Sequence, residues 1–260
     1  MATIRRLSSL REMTEDSSNG YEAIATTYIA GRGTRPVVGE TIGGNVVRTW
    51  ASTFPPGATV LDLGAGPGEP GTRILREAGL STYAVDASPT MVQAFRERFP
   101  DVRIELNTVE ASEFFGRTFD GVLAWGLLFL MEPADQALLI AKVARALVPG
   151  GRFLFTAPRK RVAWLDAMTG RRSRSLGARE YVRLLRDVGL VWVGEADDEG
   201  ENHYFFVEKA SVADARFTRS RGGADGPRAG GAPPASLQRI ADASRIAPTN
   251  RDALIWPAGS

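Results

Sequence analysis

The chain has 260 residues, and 43% of them are hydrophobic, which is enough for the core of one large domain or two small ones. Because it contains no cysteine, disulfides, zinc-thiolate sites, iron-sulfur clusters and cysteine nucleophiles are excluded. His203 is the only histidine, so a histidine-rich metal centre is excluded too. A carboxylate-only magnesium site stays open in principle, but we predict no metal.

The net charge of +2 hides an uneven distribution along the chain. Residues 211–260 carry seven arginines and four acids, which leaves 25 basic and 26 acidic residues in 1–210. We therefore expect no broad nucleic-acid surface on the body of the protein. No stretch approaches 18 uninterrupted apolar residues, so we expect no membrane span and a cytoplasmic protein.

Composition divides the chain into three parts. Residues 1–19 are polar and are predicted to be a flexible N-terminus, residues 20–209 form one domain, and residues 210–260 form a disordered tail. Within the tail, a short helix is expected near residues 237–243.

Two helices are predicted before the first strand. The first, within residues 21–29, has one apolar face formed by Tyr21, Ile24, Ala25 and Tyr28. Its face could pack in the core or cover a ligand, and the pattern does not decide between them. The second helix, over residues 41–54, points its apolar side chains inward: Val46, Val47, Trp50 and Ala51.

A glycine-rich loop follows the first predicted strand, residues 59–63. This strand is apolar apart from one acid, Asp62, and glycines follow at 64, 66, 68 and 71 before a predicted helix over residues 72–78. Strand, glycine loop and helix in this order are typical of a nucleotide or nucleoside site at the carboxyl end of a parallel sheet.

Two cofactor classes match this loop. Gly66-x-Gly68-x-x-Gly71 fits the dinucleotide fingerprint, which is a weak signal alone. Asp62-x-Gly64-x-Gly66-x-Gly68 fits an S-adenosylmethionine signature. Because the Asp62 carboxylate would repel a pyrophosphate but attract an ammonium and a sulfonium, the charge favours S-adenosylmethionine.

The second predicted strand, residues 81–85, is followed by Asp86. This acid lies 18 residues after Gly68, where a carboxylate that binds the two ribose hydroxyls is expected. A helix then begins at Ser88-Pro89, and it brings Ala87 and Met91 near the adenosine.

The remaining elements complete an alternating α/β pattern. Strands are predicted over 102–106, 119–125, 152–156, 190–194 and 203–208, with helices over 134–147 and 178–188. Trp125 ends the fourth strand, where ligands of open parallel sheets bind. Residues 157–176 hold Trp164 among six basic residues, and they are either a solvated loop or a recognition surface for an acidic substrate.

The motifs at residues 60–68, 83–86, 119–122 and 147–151 resemble those of class I S-adenosylmethionine-dependent methyltransferases of the bacterial small-molecule type. The resemblance implies an α/β, Rossmann-like, doubly wound and mostly parallel seven-stranded sheet with an antiparallel terminal hairpin. An Asn/Asp-Pro-Pro-Tyr/Phe motif is absent after the fourth strand, which weighs against methylation of DNA adenine or of glutamine.

The resemblance also implies a lid helix, whose Tyr28 and Arg32 cover the methionine end, and an adenine border formed by Val109 and Glu110. The cofactor-binding set that we predict is Tyr28, Arg32, Asp62, Gly64, Ala65, Gly66, Asp86, Ala87, Met91, Val109, Glu110 and Trp125. The substrate-side set is Trp125, Trp164 and His203. We assign no catalytic residue, although His203 could act as a base for a hydroxyl acceptor.

The sequence therefore predicts a methyltransferase that acts on an unidentified small molecule. A protein that binds the cofactor without transferring methyl groups and a nicotinamide-dependent reductase are the alternatives.

Overall fold

The computed structural model describes residues 16–33 and 41–211. Of the predicted flexible terminus at 1–19, residues 1–15 lie outside the described residues, as do residues 212–260 of the predicted tail with its short helix near 237–243.

One seven-stranded sheet organises the described part of the chain. Its order is β3-β2-β1-β4-β5-β9-β8. The strands are β1 (Thr59–Leu63), β2 (Ser81–Asp86), β3 (Arg103–Leu106), β4 (Phe119–Ala124), β5 (Leu147–Thr156), β8 (Leu190–Asp197) and β9 (His203–Lys209). The first five are parallel, and β9 is antiparallel to both β5 and β8, between which it lies. This confirms the predicted sheet and its terminal hairpin.

Six α-helices connect these strands within the described residues. They are α1 (Tyr21–Gly33), α2 (Gly44–Ala51), α3 (Gly71–Glu77), α4 (Pro89–Arg98), α5 (Pro133–Ala146) and α6 (Ala178–Asp187). The predicted helix at 41–54 is shorter than expected, because Gly43 at its start has a φ of +77° and lies outside the helix.

Alternate strand residues point to two opposite cores, as a doubly wound sheet requires. On one face, Leu61 and Phe155 belong to a cluster with residues of α5 and α6. On the other, Val60 and Leu154 belong to a cluster that includes Trp50 of α2. Helices therefore cover both faces of the sheet, so a ligand can reach the sheet at the ends of its strands.

The basic segment at residues 157–176 contains an ordered hairpin rather than one continuous loop, and five of its six basic side chains are exposed. Its strands, β6 (Val162–Leu165) and β7 (Arg172–Ser175), pair in antiparallel register. Ser173 and Ser175 are buried, and the Gln136 Nε2 of α5 donates to the Arg174 carbonyl at 3.0 Å. These contacts dock the hairpin on the body beside the end of β4.

β5 begins five residues earlier than predicted. Leu147 pairs with Phe119, and the register shifts before Arg152 pairs with Gly121. The Pro149-Gly150-Gly151 turn is thus an irregularity within a strand, with Gly150 at a φ of +76°.

No helix among residues 16–33 and 41–211 has both the length and the apolar content to cross a bilayer.

Candidate cofactor and acceptor site

A single cleft lies along the carboxyl ends of the parallel strands. Because these ends share one edge of the sheet, residues distant in sequence meet there. The cleft is lined by residues that end or directly follow β1, β2, β3, β4 and β5 in turn: Gly64, Asp86, Asn107, Trp125 and Ala157.

The glycine loop after β1 depends on left-handed backbone angles. Gly64 and Gly66 have φ values of +67° and +55°, which side chains other than glycine rarely adopt. A Cβ at Gly64 would also lie 3.0 Å from Leu127 Cδ1 of the loop after β4. The glycines therefore let the loop turn sharply while it packs closely against its neighbour. Ala65 lies between them and also lines the cleft.

Asp62 is a buried carboxyl at the base of this loop, with only 3% of its surface exposed. Its Oδ2 accepts a hydrogen bond from Thr72 Oγ1 at 2.7 Å. Burial, together with the nearby Asp86 charge, raises the pKa of Asp62 to about 7. A cation placed in the cleft beside it would relieve the cost of ionising this group.

Asp86, the last residue of β2, contacts the glycine loop through its carboxylate. Its Oδ2 accepts from the Gly66 N–H at 2.7 Å, and its Oδ1 accepts from the Ser88 N–H at 2.9 Å. Burial raises the pKa of this carboxyl as well. Each oxygen keeps a further lone pair, so the carboxylate can still accept from two ligand hydroxyls.

The predicted adenine border lies in the same cleft. Ala87, Met91, Val109 and Glu110 all line it, with Met91 and Val109 buried and Glu110 exposed. Lys142 Nζ of α5 donates to the carbonyls of Val109 and Glu110, each at 3.0 Å, which holds the segment in place.

Asn107 is a cleft residue that the sequence analysis missed. It directly follows β3, and its Oδ1 accepts from the N–H of Thr108, which also lines the cleft. A polar residue immediately after a parallel strand is the signal that could have identified it.

Helix α1 carries Tyr28 over the glycine loop. A Cβ built on Gly66 would lie 4.0 Å from Tyr28 Cε1, and the Tyr28 ring packs edge-on against Tyr21 at 5.7 Å between centroids. Arg32 belongs to the same helix, but its side chain is outside the described part of the structure.

Aromatic side chains form the other end of the cleft. Trp125 is half-buried, and the rings of Phe129 and Trp164 lie 5.4 Å apart. Phe129 was missed, because residues 126–131 read as one apolar run. Leu128 is fully buried, whereas Leu130 of the same run is half-buried and lines the cleft. The short 3-10 turn at Leu128–Leu130 is responsible, since it points successive residues in different directions.

His203 lies at the start of β9, lines the cleft and is only 6% exposed. Its Nδ1 is 2.6 Å from Asp197 Oδ1, and its Nε2 is 3.4 Å from Glu195 Oε2. Both ring nitrogens thus face carboxylates, so the ring would have to turn away from Glu195 to act on an acceptor. Among the described residues, no group of three or more histidine or acidic side chains could hold a metal.

The family model described as a methyltransferase domain matches residues 60–151, from β1 into β5. This match identifies residues 60–151 as similar to a methyltransferase domain. The methyltransferase segment is also 37% identical over 108 residues to an uncharacterised methyltransferase of Mycobacterium bovis. That match covers 41% of this chain and 43% of the relative, so it spans less than half of either protein.

Two solved structures share the methyltransferase fold. One is the 1,6-didemethyltoxoflavin-N1-methyltransferase of Burkholderia thailandensis, with a TM-score of 0.53, 22% identity and coverage of 75% of this chain and 90% of that one. The other is the [4+2]-cyclase SpnF, with a TM-score of 0.61, 14% identity and coverage of 75% and 96%. At these identities the likeness concerns the fold alone.

The groups that line the cleft are chemically compatible with S-adenosylmethionine, the cofactor that the resemblance of the motifs implies. The carboxyl of Asp62 has a raised pKa and no cationic partner among the described residues, as a site for an ammonium requires. Asp86 offers two oxygens toward hydroxyls. The two groups lie on either side of one glycine loop, which suits a ligand with a charged end and a ribose.

Proposed function

We propose that this protein transfers a methyl group from S-adenosylmethionine to a small, flat acceptor. The observation that carries the proposal is the pair of carboxyls beside the Gly66 backbone, the buried Asp62 and the half-buried Asp86. An aromatic wall, formed by Trp125, Phe129 and Trp164, lines the same cleft. The carboxyls suit the two polar ends of the cofactor, and the aromatic wall suits an acceptor.

The bound cofactor supplies an activated methyl group, so the chain mainly needs to bind, align and exclude water. Asp86 would accept hydrogen bonds from the ribose hydroxyls, and the ionised carboxylate of Asp62 would neutralise the ammonium. Tyr28 covers the glycine loop from above and keeps water away. No described side chain has to gain or lose a proton in this scheme, which agrees with the placement of His203 between two carboxylates.

The acceptor class follows from the wall that faces it. Trp125, Phe129 and Trp164 offer ring faces and edges, which favour planar apolar molecules. Lys160 also lines the cleft and would suit an acidic group on such an acceptor, as would Arg159 if it exchanged its ion pair with Glu195 for that group. One structural neighbour was solved with 1,6-didemethyltoxoflavin and S-adenosylhomocysteine bound.

Two alternatives remain distinguishable. A cofactor-binding protein without transferase activity would share the cleft, and the cyclase among the neighbours shows that this fold serves other named reactions. A nicotinamide-dependent reductase would need a pyrophosphate on the glycine loop, where Asp62 and Asp86 oppose negative charge.

Ligand-dependent melting tests the cofactor first. We expect S-adenosylhomocysteine to raise the melting temperature while NADH leaves it unchanged, because a ligand stabilises only the folded state that binds it. Equal shifts with both ligands would reject the assignment.

Methyl transfer is then tested with labelled S-adenosylmethionine and a panel of small aromatic amines, phenols and acids. Release of S-adenosylhomocysteine together with a labelled product supports transfer. Tight binding without product from any acceptor class would favour the non-transferring alternative.

A further inference from the structure

Glu22, near the start of α1, reaches the first turn of α4. Its Oε1 accepts from Thr90 Oγ1 at 2.6 Å, and its Oε2 accepts from the Thr90 N–H at 3.1 Å. The Ser88 hydroxyl also donates to Oε2. One carboxylate therefore takes three hydrogen bonds from residues 66 and 68 positions away.

The charge of Glu22 suits this place. Burial opposes its ionisation, but the hydrogen bonds from Ser88 and Thr90 outweigh that effect and lower the pKa of Glu22. The amino end of the ten-residue helix α4 also favours a negative charge. Glu22 thus remains an anion and a strong acceptor across the neutral pH range.

Ser88 links this contact to the cofactor site. Its N–H donates to Asp86 Oδ1 at 2.9 Å, while its hydroxyl donates to Glu22. Asp86 and Glu22 therefore bind the same fully buried residue through different atoms. If α1 moved away from α4, Ser88 would lose its hydrogen bond to Glu22. Ser88 would then hold the Asp86 carboxylate less firmly.

Tyr28 lies nearly two turns further along the same helix, over Gly66. Helix α1 touches the body at Ala25, which is 1% exposed, between these two points. Fixing its start at Ser88 and Thr90 consequently sets where Tyr28 lies above the glycine loop.

We propose that Glu22 is a positioning residue that latches α1 onto α4 and so keeps Tyr28 closed over the bound cofactor. This inference rests on the proposed cofactor site. Glu22 itself does not touch the cofactor, and it acts through Ser88 and through the placement of Tyr28.

The latch is tested by S-adenosylhomocysteine binding to the full chain carrying Glu22→Gln, Glu22→Ala or Thr90→Val. We expect dissociation, followed by stopped-flow tryptophan fluorescence, to quicken about tenfold or more for Glu22→Ala and less for Glu22→Gln, because a charged acceptor of several hydrogen bonds is lost. Glu97→Gln is the matched control, since Glu97 is an exposed acceptor on α4, the helix that carries Thr90, and it accepts from Gln93 Nε2 at 3.2 Å. It should leave dissociation unchanged.

Hydrogen exchange of the ligand-free protein gives a second readout. In Glu22→Ala, the backbone amides of residues 21–31 should exchange faster than in the unaltered protein, while the amides of β1 should exchange at an unchanged rate. If Glu22→Ala does not fold, Glu22→Gln and Thr90→Val carry the same test. Unchanged dissociation overturns the latch, even where exchange of α1 rises, since the contact would then serve docking alone.

Asp86→Ala separates this proposal from the proposed function. If Asp86→Ala weakens S-adenosylhomocysteine binding and Glu22→Ala does not, the latch is wrong and the cofactor site stands. If the unaltered protein fails to bind S-adenosylhomocysteine, the cofactor site fails and the latch fails with it.

Discussion

The Gly66 N–H donates to Asp86 Oδ2 at 2.7 Å, so the tip of the glycine loop and the end of β2 are joined directly. This bond orients the carboxylate before a ligand arrives, with its second oxygen held by the Ser88 N–H. A preorganised acceptor loses less entropy when it binds hydroxyls, which favours affinity.

Replacing this carboxylate should therefore affect the cofactor more than the fold. We expect Asp86→Ala to raise the dissociation constant of S-adenosylhomocysteine at least tenfold, because each charged hydrogen bond contributes about 1.5–3 kcal/mol. Isothermal titration calorimetry measures the dissociation constant. Thermal melting measures how much stability the protein loses with the hydrogen bonds from Gly66 and Ser88. Asp101→Ala, an exposed acid paired with Arg76, is the control and should change neither quantity. An unchanged dissociation constant for Asp86→Ala would leave that residue as a helix-capping acid.

Cofactor affinity should depend on pH through Asp62. With the pKa of its carboxyl near 7, the group is increasingly protonated below that pH and then attracts an ammonium less. Affinity for S-adenosylhomocysteine should thus rise by up to about tenfold per pH unit toward 7 and level off above it. Titrations between about pH 5.5 and 7.5 cover this range.

Asp86 contributes in the same direction, since burial raises its pKa too. Asp62→Asn separates the two, because it should weaken binding and remove the Asp62 part of the pH dependence. The same pH profile in Asp62→Asn as in the unaltered protein would contradict the role of Asp62.

The folding stability should show the opposite trend over this range. The carboxyl of Asp62 ionises near 3.8 in the unfolded chain and near 7 in the folded one, so the folded state holds the proton more tightly in between. This contribution is fully present below about pH 4 and is lost as the pH rises through 7. Urea unfolding of Asp62→Asn, compared with the unaltered protein at the two ends of the range, measures it.

Trp125 should affect methyl transfer rather than folding when it is changed conservatively. In Trp125→Phe we expect a nearly unchanged melting temperature and a fall in turnover larger than the fall in cofactor affinity, because a displaced acceptor loses its in-line geometry. Trp125→Ala, in contrast, should cost about 3–5 kcal/mol of stability if the ring is mainly core.

Trp192→Phe is a suitable comparison for Trp125→Phe. Trp192 is a half-buried β8 residue whose indole donates to the Gly194 carbonyl at 2.7 Å, and it does not line the cleft. A turnover of Trp125→Phe that merely follows the folded fraction would reject a pocket role.

A chain that ends at Ala210 should keep its fold and its cofactor affinity. β9 ends at Lys209 and completes the sheet between β5 and β8, and Lys209 Nζ donates to the Leu147 carbonyl at 2.7 Å. Melting and S-adenosylhomocysteine titration of the shortened chain check this. Loss of a cooperative melt would show that residues 211–260 contribute to the folded domain.

The sequence alone determined the parts of this protein that depend on local order along the chain. The places of Asp62 with its glycines and of Asp86 at the end of β2 follow from strand and turn patterns, because the carboxyl ends of parallel strands meet at one edge of the sheet. The sheet type and the terminal hairpin followed from the same alternation and from the resemblance in motifs.

Only the tertiary structure decided the contacts between segments far apart in sequence. Glu22 gives no local signal, since its partners Ser88 and Thr90 are more than sixty residues away. Phe129 was hidden in an apolar run until a short turn directed it to the cleft beside Trp164. His203 looked available as a base, but its surroundings depend on how β8 and β9 pair, and that register places Asp197 and Glu195 against its two nitrogens. Such contacts depend on packing geometry, which periodicity along one chain does not encode.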